Sequence, residues 1–316
     1  MIGKKRQAII IFNRNKFISF KFFIIYFLIF IYVNIGYRNI ISNFISMTSS
    51  EKCYISPSDT NLKIIHLIIT RFMIEFWPFG NFKEKIYKKD YILNGIRCMK
   101  KYLLPSLDNQ SCKKFIWILK LGEKANITYI KSLLNFKTSF EKVVIYEKDI
   151  KTYIKNKTIH ADILITTRID YDDRIYYDAV NDVRKAINPN KPLILFGYNR
   201  GVQYYEFNKK YYELIRDYKD SGVMSIFISL IVDLNKVNNT INIFDLGTHI
   251  GVRKTLLSIT KYIGIKTLNY EPAIWDSGDV KIVWVRQNYS GLFHHSLEVE
   301  KSLKPYKFNL NKFYGK

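Results

Sequence analysis

Between about residue 60 and residue 170 the apolar positions fall in short unbroken runs, not in alternation with polar ones. Lys63-Ile-Ile-His-Leu-Ile-Ile-Thr70, Phe115-Ile-Trp-Ile-Leu119, Lys142-Val-Val-Ile-Tyr146 and Ala161 to Ile169 all have strand length. Helical spacing fills the gaps: Tyr91 to Leu104 carries Ile92, Ile96, Met99 and Leu103 on one face, and Ile127 to Leu134 and Ile150 to Ile154 follow. Pro105 is expected to end the first of these helices, and Trp77-Pro78-Phe79-Gly80 to turn the chain before it. Arg174 to Ile187 also reads as a helix. Continuous apolar strands separated by helices predict a mostly parallel sheet covered on both faces, hence an α/β domain over residues 61–316. Ligands of such sheets sit beyond the carboxyl ends of the strands, so chemistry is sought just after each run. His66, inside the first run, reads as a core residue.

The first fifty residues follow another pattern. Seven basic residues (Lys4, Lys5, Arg6, Arg14, Lys16, Lys21 and Arg38) and no acidic one surround an apolar run centred on Phe22 to Val33. Taken as 17–36, the run is long enough as a helix for a hydrocarbon core of ~30 Å, with Lys21 reaching the headgroups. Most of the positive charge precedes it, so residues 1–16 are expected to stay cytoplasmic and the rest to cross. The rival readings are a cleaved signal peptide and a buried or interfacial helix. Ser-rich residues 37–60 read as a stem. The expected topology is a single-pass type II membrane protein with its domain lumenal (ER/Golgi) or extracytoplasmic. Five N-x-S/T sequons, at Asn109, Asn126, Asn156, Asn238 and Asn288, are compatible with that side of the membrane.

Composition changes the picture little. Across 316 residues, 50 Lys+Arg against 27 Asp+Glu leave a net charge of +23, but the cations are scattered and accompany abundant Asn, Ile, Tyr and Phe. A nucleic-acid groove would gather them with stacking aromatics on one element, so no nucleic-acid partner is expected. Three cysteines, Cys53, Cys98 and Cys112, permit at most one bridge and show no zinc-ligand spacing.

The strongest chemical signal closes the fourth apolar run. Asp170, Asp172 and Asp173 crowd the end of a buried strand, where they repel one another unless a cation intervenes. A hard divalent ion, Mn²⁺ or Mg²⁺, would take one or two of these carboxylates and bridge them to substrate phosphate. The plainer alternative is a solvated turn in which Asp172 or Asp173 caps the next helix.

Here the chain resembles a known family. Thr166-Thr-Arg-Ile-Asp-Tyr-Asp-Asp173 is similar to the T-x-R-L-D-x-D-D motif of a rhamnosyltransferase family of GT-A-type glycosyltransferases. In the same order, His66-Leu-Ile-Ile-Thr-Arg-Phe72 resembles that family's first strand, and Leu104-Pro-Ser-Leu-Asp-Asn-Gln110 with Phe115-Ile-Trp117 its L-P-S and F-x-W elements. Arg200-Gly-Val-Gln203, Ser225 to Ile231 and Trp284-Val-Arg286 resemble its N-G-Y-Q, N-P-F-x-S-L-I and W-x-Q/R elements. Together they cover roughly residues 62 to 295. The resemblance implies a GT-A-like fold that binds a nucleotide-sugar donor, with a glycan or glycoprotein acceptor. Thr70, Arg71 and Phe72 would line the nucleotide pocket, Asp170, Asp172 and Asp173 would hold ribose and metal, and Arg168 would touch the donor or orient the carboxylates. Two departures stand out: Tyr171 replaces the family's frequent Asn, and Gln287, Asn288 and Tyr289 stand where relatives often place a metal-binding histidine.

His249, His294 and His295 are the candidates for that missing ligand. An inverting transferase also needs a carboxylate base, for which Asp245, Glu271, Asp276 and Asp279 are candidates. Trp275 and Trp284 could stack on a sugar or serve the core. Two other classes compete: a haloacid-dehalogenase-like phosphatase with Asp170 as nucleophile, and a non-catalytic membrane-anchored binder of anionic polymers.

Overall fold

The computed structural model describes residues 53–54, 61–74, 82–198, 200–206, 209–215, 227–237, 241–246, 273–275, 282–286, 307, 309, 311 and 314–315. The predicted anchor at 17–36, its basic leader, most of the stem and the Trp77 to Gly80 turn lie outside these residues. No helix among the described residues is long and apolar enough to cross a membrane.

The apolar runs become strands. In chain order these are β1 (Ile64–Phe72), β2 (Ile116–Leu121), β3 (Glu141–Tyr146), β4 (Ile163–Arg168), β5 (Arg174–Ile175), β6 (Leu193–Tyr198), β7 (Arg200–Tyr205), β8 (Lys210–Ile215), β9 (Ile228–Asp233), β10 (Ala273–Trp275) and β11 (Ile282–Arg286). Seven of them form one sheet in the order β10-β6-β9-β4-β1-β2-β3. All neighbours in it are parallel except at β9, which runs against both β4 and β6. A smaller sheet, β5-β11-β7-β8, lies apart from it in pairing.

Burial on both faces explains why β1, β2 and β4 carry no polar alternation. Ile68, Phe72, Trp117, Leu119 and Ile165 enter one apolar cluster, while Leu67, Ile69, Ile118 and Leu164 enter the other. Successive residues of a strand point to opposite sides, so both sides must be apolar. The helices Ile127–Leu133 and Ile150–Lys157 connect these strands, and Asn126 caps the first by accepting from Tyr129 N at 3.0 Å.

Two sequence expectations are corrected. Pro105 does not end the helix that begins at Lys89. After Lys89–Cys98 the chain widens into a π turn, Met99–Leu103, and Leu104 N donates back to Met99 O. A new helical turn, Leu104–Asp108, then starts with Pro105 in its first positions, where a missing N–H removes no bond. Nor is Arg174 to Ile187 one helix: Arg174–Ile175 pairs antiparallel with β11, and the helix spans only Ala179–Lys185. Demand for an edge partner on β11 overrides the local helical pattern.

Cys53 is disulfide-bonded to Cys112, and Cys98 is a buried free thiol. Tyr54 N donates to Asn181 Oδ1 at 2.8 Å, so these two residues of the predicted stem are fastened to the domain.

Candidate functional site

After β1 the chain builds β2 and β3 on one side, then returns to lay β4 against the other side of β1. The connections therefore diverge between the carboxyl ends of β1 and β4, and a divergence of this kind opens the crevice in which α/β sheets bind ligands. This place is bordered by Arg71 at the end of β1 and by the segment Arg168 to Asp173 that ends and follows β4. The first-strand and acidic-turn segments, about a hundred residues apart in sequence, are thus neighbours.

Strand register decides which side chains share a face. Arg71 is the register partner of Lys120 on β2, and Ile69, two residues before Arg71, is the partner of Arg168. All three cations accordingly project from one face of the sheet and converge on the Phe244 ring, at 5.5 Å for Arg71, 4.3 Å for Lys120 and 5.8 Å for Arg168. Phe244 is held there because Ile243 N donates to Thr166 Oγ1 on β4 at 2.9 Å and Phe244 N donates to Asn242 Oδ1 at 2.9 Å. Lys120 is 3% exposed and donates to Glu147 Oε1 at 2.6 Å. Burial pulls the Lys120 ammonium below its usual value, partly against the pull of Glu147. Arg71 is shifted down by burial too, with Asp170 and Glu147 opposing. Sequence reasoning missed Lys120 and Phe244; Lys120 directly follows the apolar run Phe115 to Leu119 and is followed by Leu121, and that charge between apolar residues was the available signal.

Thr70 and Phe72 point the other way. Trp117 Nε1 donates to Thr70 Oγ1 at 3.0 Å, and Phe72 packs among Tyr91, Tyr171 and Gly95 in the core. Only Arg71 of the three residues faces the crevice.

The acidic turn divides by burial. Asp170 is 34% exposed, with Oδ1 at 3.7 Å from Arg168 Nη2. Asp172 is half-buried, and Asp173 is fully buried. Neither Asp172 nor Asp173 caps a helix, since the next one begins at Ala179 with Asp178 at its cap position. Tyr171 packs edge-on against Phe72 at 5.4 Å, and burial, then the charge of Asp172, raises its hydroxyl pKa far above the usual value. Among the described residues no three His, Cys, Asp or Glu side chains converge as metal ligands. Asp170 and Asp172 are only half-buried, whereas Asp173 is closed off from solvent.

A clamp fixes the chain that leaves this turn. Gln110 Nε2 donates to Tyr176 O at 2.7 Å, and Gln110 Oε1 accepts from Val180 N at 3.1 Å. Ser111 N donates to Tyr177 O at 2.8 Å, and Ser111 Oγ donates to Asp178 Oδ1. The neighbouring Cys112 carries the disulfide to Cys53. The L-P-S-x-x-x-Q segment thus holds the chain three to seven residues beyond the acidic turn.

Of the base candidates, Asp245 belongs to the short helical turn Ile243–Leu246. Its Oδ2 accepts from Asn242 N at 3.0 Å and from Asn242 Nδ2 at 2.7 Å, while Oδ1 lies 3.6 Å from Lys151 Nζ. Glu271, Asp276, Asp279, His249, His294 and His295 lie outside the described residues. Trp275 and Trp284 are described as strand backbone only; Trp284 is the register partner of Gln203, which joins two of the family-like segments.

No protein-family model matches the chain, and no curated protein matches it in sequence. Among solved structures, the inositol-1-phosphate CTP transferase of T. maritima overlaps 72% of this chain and 85% of its own at 10% identity, with a TM-score of 0.29. A nucleotide-diphospho-sugar transferase of Desulfovibrio desulfuricans overlaps 71% and 79% at 11% identity, TM-score 0.32. HddC of Yersinia pseudotuberculosis overlaps 72% and 90% at 14% identity, TM-score 0.28. At such scores the overlaps carry no argument about chemistry, and the rhamnosyltransferase resemblance gains no support from them. What is established is an α/β fold with a mostly parallel central sheet in which β4 lies beside β1, Arg71 and Arg168 share one face, and the acidic turn follows β4.

Proposed function

We propose that the chain is a GT-A-like, membrane-anchored glycosyltransferase that moves a sugar from a nucleotide-sugar donor to a glycan or glycoprotein acceptor. One observation carries the reading: the acidic turn Asp170 to Asp173 and the cation-bearing end of β1 meet where the order of the central strands diverges. Cations serve the donor's diphosphate and carboxylates its metal and ribose, and both are needed where a nucleoside diphosphate leaves.

Asp170 and Asp172 would hold Mn²⁺ or Mg²⁺, which when bound supplies positive charge to the leaving diphosphate. Arg168 orients Asp170 from 3.7 Å and adds its own charge beside it. Arg71 presents a second guanidinium from β1, and Phe244 shields this side from water. The acceptor hydroxyl must lose a proton to a carboxylate; Asp245, Glu271, Asp276 and Asp279 remain the candidates. The Cys53–Cys112 bond supports a lumenal or extracytoplasmic domain behind the anchor at 17–36, because such bonds persist in oxidising compartments.

The test uses the full chain in detergent with a panel of nucleoside diphosphates, with and without Mn²⁺. Stabilisation by at least one diphosphate is expected, together with a fall of about 100-fold in Mn²⁺-dependent donor hydrolysis for Asp172→Asn. Absence of any diphosphate effect in either condition, or full hydrolysis by the variant, would sink the proposal.

A further inference from the structure

We infer that Asn126 is a site of N-linked glycosylation, an inference that rests on the reading above that the domain lies on the lumenal or extracytoplasmic side of the membrane.

An enzyme that glycosylates asparagine must reach the Asn amide together with the hydroxyl two residues on, and the fold must then leave room for a bulky, hydrated sugar. Of the five sequons, those at Asn109, Asn126 and Asn156 lie within the described residues. The fold treats them differently. Asn109 is half-buried, and its Nδ2 donates to Pro105 O at 2.7 Å. The hydroxyl of that sequon, Ser111 Oγ, donates to Asp178 Oδ1 and accepts from Asn181 Nδ2 at 2.9 Å, so it belongs to the clamp described above. Asn156 is exposed on the helix Ile150–Lys157, but its partner Thr158 is buried, with Oγ1 donating to Ile154 O at 2.9 Å.

At Asn126 both halves of the sequon face solvent, because Thr128 is exposed as well. Glu123 and Lys124 just before it are also exposed, so the surroundings are polar and open. The segment is held from below, where Ala125 and Ile130 are buried and Ala125 O accepts from Tyr146 OH at 3.2 Å. The Asn126 amide divides its duties between its two heavy atoms. Oδ1 accepts from Tyr129 N at 3.0 Å and caps the helix Ile127–Leu133, whereas glycosylation uses Nδ2. In the transfer, Nδ2 loses one of its two hydrogens as a proton to a base of the modifying enzyme and bonds to the anomeric carbon of an oligosaccharide. That carbon's bond to the diphosphate of a lipid carrier breaks, and the lipid diphosphate leaves with the electron pair. The product is a secondary amide whose carbonyl oxygen still accepts from Tyr129 N, so the sugar is carried without loss of the cap. At Asn109 a sugar would instead crowd the nitrogen that bonds Pro105 O.

The experiment translates the full chain into microsomes that hold a lipid-linked oligosaccharide. Added protease locates the domain, gel mobility is read before and after peptide N-glycosidase, and peptides are mapped by mass spectrometry. The domain is expected to be protected from protease and to lose mass on glycosidase treatment, with Asn126 converted to Asp in its peptide and Asn109 unchanged. Asn126→Asp keeps the cap oxygen but has no amide nitrogen, and Thr128→Ala keeps Asn126 itself; each should lose one glycosidase-sensitive step in mobility. The wild-type peptide is read directly, so a variant that fails to fold does not decide the question. A protected domain whose Asn126 peptide is unmodified overturns the inference and leaves the topology standing. A domain that protease degrades from outside the microsomes overturns the topology and the inference with it.

Discussion

His66 offers a direct test of how the central sheet is built. It stands in the middle of β1 at 2% exposure, with Nε2 and Thr167 Oγ1 2.8 Å apart, and Thr167 Oγ1 in turn 2.7 Å from Ser229 Oγ on β9. Burial, and after it the charge of Arg184, hold the imidazole well below its ordinary value of 6.5, so it is neutral in the folded protein. The unfolded chain binds a proton there below about pH 6.5 and the folded chain does not, so stability rises with pH through this window and falls as the medium is acidified. Each unit of pH below 6.5 costs about 1.4 kcal/mol until the folded value is reached. Between pH 7.5 and 5.5 the contribution of His66 alone is therefore about 1.4 kcal/mol. His66→Gln keeps a polar group opposite Thr167 but cannot titrate. Urea denaturation of both proteins at the two pH values should show the wild type losing about 1.4 kcal/mol more than the variant, or about 3–5 °C if read by thermal melting. Parallel pH profiles for the two would refute the claim that this histidine is buried neutral between β4 and the core.

Three further outcomes are expected. Gly95→Ala should lower the melting temperature, because the added Cβ would lie 2.3 Å from Phe72 Cε2; overpacking of about 1–3 kcal/mol outweighs the roughly 1 kcal/mol that Ala gains over Gly in a helix. Cys112→Ser, or reduction of the native chain, removes a bridge spanning 59 residues and should cost up to about 4 kcal/mol, seen as a fall in the urea midpoint. Gln110→Ala leaves Val180 N and Tyr176 O without their partner and should cost about 1–3 kcal/mol; since the same bonds fix the chain leaving the acidic turn, the donor KM should rise more than kcat falls, and Gln110→Glu, which retains one acceptor, should recover part of it.

The strands and most helices were legible in the sequence because burial on both faces of a parallel sheet writes itself into adjacent residues. β1 to β4 needed nothing beyond their own apolar runs. The acidic turn was legible for the same reason: three aspartates directly after such a run are a local anomaly. Where local pattern and distant partner disagreed, reading failed. Arg174 and Ile175 carry helical spacing yet join β11 from over a hundred residues away, and Pro105 looked like a terminus because nothing local announces a π turn.

Sequence by itself determined that this chain forms an α/β domain with an acidic turn after its fourth strand, because hydrophobic periodicity and charge crowding are properties of neighbouring residues. Tertiary structure alone decided that Arg71 shares a face with Lys120 and Arg168 over the Phe244 ring while Thr70 and Phe72 turn into the core. Side-chain alternation makes the facing of each residue depend on strand register, and register between distant segments is settled only when they pair.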